Sequence, residues 1–128
     1  MLGRFAEAEA DARVAVERAE SLYGVEHAWT AIALEDLGLA LLGQGKITEA
    51  IRTLTKTLAI RERLDPSQER IAETRFALGR ALWEAGDERP RALALAHIAS
   101  EGYRGLHGHQ RDITAIDAWL AKRQPGGR

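Results

Sequence analysis

The side chains able to do chemistry are few and scattered. His107 and His109 flank Gly108 and would offer two imidazoles to a metal ion. No third ligand stands near them, and a zinc site takes three or four. They read as solvated loop histidines. His27 reads as a helix-start or packing residue, and His97 has no acidic or nucleophilic neighbour at a telling spacing. The chain has no cysteine, which removes thiol nucleophiles, thiolate metal sites and disulfides. It contains no HExxH pair, no GxSxG turn and no glycine-rich phosphate loop. The remaining Asp and Glu residues are spread as on a solvated surface. The expectation is a protein that is not an enzyme and needs no metal or cofactor.

Composition sets the frame in which these residues sit. The 128 residues are 45% hydrophobic, 29% charged and 5% aromatic, with three prolines. That is one ordinary soluble domain, rich in the helix formers Ala and Leu. Net charge is −1 but unevenly placed: residues 1–88 hold 11 Lys and Arg against 16 Asp and Glu, and residues 89–128 hold 7 against 3. Arg89, Arg91, Arg104, Arg111, Lys122 and Arg123 make the last third basic. Without an aromatic-and-basic platform, nucleic-acid binding is the weaker alternative. No apolar run reaches the roughly 20 residues of a membrane span, and Met1 to Glu7 lacks a signal-peptide core. The expected location is cytoplasmic.

The strongest pattern is a repeat. Gly3-Arg4-Phe5-Ala6-Glu7-Ala8 recurs as Gly45-Lys46-Ile47-Thr48-Glu49-Ala50, an offset of 42, and Leu37-Gly38-Leu39-Ala40-Leu41 recurs as Leu78-Gly79-Arg80-Ala81-Leu82, an offset of 41. Two segments agreeing on one period point to stacked supersecondary units. Ala31, Leu34, Leu37, Gly38 and Leu41 follow helical spacing. So do Ile47, Ala50, Ile51, Leu54 and Leu58, and then Ile71, Leu78 and Leu82. Gly43-Gln44-Gly45 and Gly86-Asp87 close hairpins. Asp65-Pro66 is a turn, with Ser67 as an N-cap. Six helices are expected, over about 4–23, 26–43, 47–64, 67–85, 89–104 and 111–123, in one domain of residues 1–123 with a flexible tail at 124–128. No strand is expected.

These residues resemble the tetratricopeptide repeat family, in its longer, kinesin-light-chain-like variety. The family places small residues where helix A crosses helix B, matched here by Gly38, Gly79, Ala50, Ala92 and Ala8. Leu37, Leu41, Leu78 and Leu82 match its core positions, and Tyr23-Gly24-Val25-Glu26-His27 is similar to its inter-repeat turn. Arg75, Ala96 and Asp65-Pro66 depart from the pattern. The resemblance implies an all-α, right-handed α-solenoid of about 2.5 hairpins plus a C-terminal capping helix. The second half also looks like arrays at the C-terminal end of bacterial multidomain signalling proteins.

By that resemblance the first helix of each hairpin lines a groove for a peptide or partner helix. Ile32, Glu35, Leu39 and Leu42 would face it from one hairpin, and Glu73, Phe76, Arg80 and Trp83 from the next. The expected function is protein–protein interaction, as a scaffold in a larger bacterial signalling or regulatory assembly. The chain also opens as a helix B without its helix A. A face bearing Phe5, Ala12, Val16 and Ala19 would then be uncapped and serve homo-oligomerisation, the alternative function.

Overall fold

A computed structural model describes residues 2–124. Among them lie six α-helices and no strand: α1 Leu2–Tyr23, α2 Ala28–Gly43, α3 Ile47–Leu64, α4 Gln68–Ala85, α5 Arg89–Arg104 and α6 Gln110–Arg123. Residues 125–128, most of the expected tail, lie outside the described residues.

Local chemistry sets the helix ends. His27 caps α2, its Nδ1 accepting from the Trp29 N–H at 3.0 Å, and Ser67 caps α4 through the Arg70 N–H at 3.2 Å. Such acceptors satisfy N–H groups that have no partner inside the helix. At the other end of α4, Gly86 takes the left-handed conformation (φ 82°) and its N–H closes onto the carbonyls of Leu82 and Trp83. Pro90 sits in the first turn of α5, where its missing N–H costs nothing.

Packing divides the chain into two compact units, Met1–Pro66 and Ser67–Arg128, where the sequence pattern suggested one domain. In the first unit, α2 packs against both α1 and α3. Its buried set of Ala31, Leu34, Leu37, Gly38 and Leu41 is the one the spacing indicates. The α2–α3 crossing depends on Gly38, where a Cβ would come within 2.6 Å of Leu54. Long side chains bridge α1 to α3: Arg13 to Glu49 at 3.1 Å and Lys56 to Glu20 at 3.6 Å.

In the second unit, α5 packs against both α4 and α6. Gly79 carries the α4–α5 crossing, since a Cβ there would lie 2.9 Å from the Ala92 carbonyl oxygen. Ala72, Ala96, Ala99, Tyr103, Ile113, Ile116 and Leu120 form the core, with Phe76, Leu93 and Trp119 packed on it. Burial of these side chains is the main source of stability in so small a unit.

Candidate functional site

The outer face of α2 is apolar. Trp29 is 58% exposed and Ile32 39%, and Leu39 and Leu42 are half-buried further along the helix. Glu35 is not part of this face. It is buried at 4% exposure, and its Oε1 accepts a hydrogen bond from Arg61 Nη1 of α3 at 2.7 Å. The expectation that Glu35 orients a partner is therefore corrected: its carboxylate holds α2 to α3, and a partner cannot reach it.

An aromatic cluster at the α1–α2 turn escaped the sequence patterns. Tyr23 stacks on His27 with ring centroids 5.0 Å apart and meets Trp29 edge-on at 4.8 Å. Gly24, at φ 97°, turns the chain between them, and its carbonyl accepts from the buried Thr30 hydroxyl at 2.8 Å. Tyr23 and Trp29 stay largely exposed. Aromatic residues on either side of a turn glycine were the available signal, but only the fold shows that they touch.

The second unit treats its predicted residues differently. Glu73 is exposed, while Phe76, Arg80 and Trp83 are half-buried on α4. Trp119 of α6 meets Phe76 edge-on at 5.6 Å and Trp83 at 5.9 Å. Arg80 lies over the Phe76 ring, Arg89 over Trp83 and Arg123 over Trp119, at 4.9, 4.6 and 4.4 Å. Phe76 and Trp83 thus serve as contacts for the chain's own last helix.

The α1 residues expected to be uncapped are also placed otherwise. Ala12 and Ala19 are buried, and Val16 packs on Ala31, Leu34 and Ile60. Phe5 is 38% exposed, with its ring over Gly43, where a Cβ would lie 2.5 Å away. α2 packs on the Val16 side of this face, while Phe5 stays exposed and Ala12 and Ala19 border open clefts along α1.

His109 departs from the solvated-loop expectation. Its Nδ1 lies 3.0 Å from Asp112, its Nε2 lies 3.8 Å from Glu69, and its ring packs against Tyr103 at 4.9 Å. His107 is exposed. Among the described residues, no group of three or more His, Asp or Glu side chains could hold a metal ion.

Two carboxylates are electrostatically marked. Hydrogen bonds from Lys46, Gln44 and Arg13 lower the Glu9 pKa from 4.5 to about 2. Asp36 shifts the other way: burial raises its pKa, and the neighbouring Glu35 charge adds to the effect.

Residues 1–63 match the family model of the tetratricopeptide repeat. Residues 1–63 are therefore tetratricopeptide repeat, and such repeats are non-catalytic units that mediate protein–protein interaction. No curated protein matches the chain. No described helix is long and apolar enough to cross a membrane.

Proposed function

We propose that the protein is a cytoplasmic interaction module, a scaffold in a larger bacterial signalling or regulatory assembly, which holds a peptide or partner helix along the outer face of α2. One observation carries this reading. α2 is buried by α1 on one side and α3 on the other, yet it keeps Trp29 and Ile32 exposed beside Leu39 and Leu42. Trp29 keeps most of its surface free even with Tyr23 against its ring, and tryptophan is among the residue types that dominate interface energetics. A helix laid in a groove would meet them as two pairs of anchors, each pair one turn apart and the pairs separated by two turns. The period of 42 supports the longer, kinesin-light-chain-like variety of repeat.

Peptides selected from a displayed random library against the full chain test the proposal. Their affinity should fall by roughly tenfold or more on Trp29→Ala or Ile32→Glu, which is the scale of a hot-spot loss. Ligands indifferent to both substitutions would overturn it.

A further inference from the structure

A second stripe of α1 is bare. Ala8, Asp11, Ala15, Arg18 and Leu22 follow one another at alternating spacings of three and four, the spacing of a helix–helix seam. All five are exposed, and Leu22 reaches 73%. Two clefts run along this stripe. One, of about 420 Å³, is lined by Phe5, Ala8, Asp11, Asp36, Leu39 and Ala40 among others. The next, of about 470 Å³, is lined by Asp11, Val14, Arg18 and Leu22 among others.

The internal repeat shows what such a stripe receives. The offset of 42 carries Ala8, Ala15 and Arg18 onto Ala50, Thr57 and Ile60 of α3. All three are buried, and Ile60 packs on Ala31 and Leu34 of α2; Asp11 and Leu22 fall on the half-buried Thr53 and the exposed Leu64. The middle of the equivalent surface of α3 is thus seated against a helix, while that of α1 is open.

We propose that a second copy of this chain covers the stripe, its α1 running antiparallel to the first about a two-fold axis near Ala15. The sequence of the stripe is complementary to its own reverse. Antiparallel pairing sets Asp11 against Arg18 of the second copy, Arg18 against its Asp11, and Ala15 against Ala15. Ala8 meets Leu22 and Leu22 meets Ala8, so each large side chain faces a small one. This is the self-complementarity of an isologous interface. Parallel pairing would instead oppose like charges.

The rest of the cleft fits the same occupant. Asp36 lines it together with Asp11, so the incoming Arg18 meets two carboxylates. Leu39 and Ala40 line it together with Ala8 and Phe5, so the incoming Leu22 enters an apolar recess. The raised Asp36 pKa marks a carboxylate short of solvation, which an arriving guanidinium would compensate. The two surfaces share Leu39, whereas Ile32 lines neither cleft and serves as a control.

Sedimentation of the full chain over a wide concentration range tests the proposal, with circular dichroism to confirm folding. A dimer is expected. Asp11→Arg and Arg18→Asp should each weaken it by roughly tenfold or more, since two-fold symmetry counts every substitution twice. Mixing the two variants should restore a dimer, now hetero, because each then offers the charge the other needs. Leu22→Glu should also dissociate it, and Ile32→Glu should not. A monomer at every concentration would overturn the proposal and leave the stripe to a different polypeptide. A dimer indifferent to Asp11→Arg, Arg18→Asp and Leu22→Glu would overturn it equally, by placing the contact elsewhere.

Discussion

Arg61 Nη1 donates to Glu35 Oε1 across 2.7 Å, with the side chains of both residues at least 95% withdrawn from solvent. The pair joins the middle helix of the first unit to its neighbour, inside a core built mainly of Ala, Leu and Ile with the buried Thr30 and Thr57. Removing Glu35 takes from the buried Arg61 the carboxylate to which its Nη1 donates. Glu35→Leu should cost roughly 3–5 kcal/mol, whereas the double change Glu35→Leu with Arg61→Met should recover most of that. Urea unfolding of the two variants checks the difference.

The glycines at the hairpin crossings differ in what obstructs a larger residue. At Gly38 a Cβ meets the Leu54 side chain, and at Gly79 it meets the Ala92 backbone oxygen. Both Gly→Ala changes should destabilise by about 1–3 kcal/mol, despite alanine's better helix propensity. Truncating Leu54 should offset part of the Gly38→Ala loss. No side-chain truncation should rescue Gly79→Ala, because the obstacle is main chain. Thermal denaturation of single and double variants reads the contrast.

Acid acts on two carboxylates with opposite sign. The folded pKa of Glu9 lies near 2 against an ordinary 4.5. Its ionised form therefore stabilises the fold in full above about pH 4.5, and that contribution disappears as pH falls toward 2. Asp36 is raised above its ordinary 3.8, so its ionisation opposes folding, and stability from this group increases as pH falls through its folded pKa toward 3.8. Glu9→Gln should flatten the acid limb of a melting-temperature profile. Asp36→Asn should raise the melting temperature at neutral pH and remove the gain just above 3.8.

Buried hydroxyls should separate by what they bind. Thr57 donates to the Thr53 carbonyl of its own helix at 2.8 Å, an acceptor that the helix already uses. Thr30 instead donates to the Gly24 carbonyl in the α1–α2 turn. Thr57→Val should cost under about 1 kcal/mol and Thr30→Val about 1–2 kcal/mol. The loss at Thr30 should appear as faster amide hydrogen exchange at the turn.

Much of the framework was legible because its determinants are local. The apolar spacing of Leu37, Leu41, Leu78 and Leu82, the cap at Ser67 and the glycine stop at Gly86 each act within a few residues, and each placed its element. The candidate surfaces were less legible because burial there depends on partners far along the chain. Periodicity treats Glu35 and Asp36 as two polar neighbours, and only Arg61, 26 residues away, decides that one lies inside and the other out. Trp83 looked like a groove anchor until Trp119, on a helix two elements later, took its edge. Ala12, Val16 and Ala19 formed a correct helical stripe, but nothing in the spacing said that α2 packs on its Val16 side and leaves the next stripe bare.

The three tryptophans are distributed so that light can follow the two units separately. Trp29 is the single indole of the first unit and stands in water. Trp83 and Trp119 lie edge to face in the second, each beneath an arginine. Replacing Trp29 with phenylalanine leaves an emission spectrum that belongs to the second unit alone. Replacing the other two leaves a solvent-sensitive reporter beside the apolar face of α2, whose emission would shift to the blue when a partner settles there.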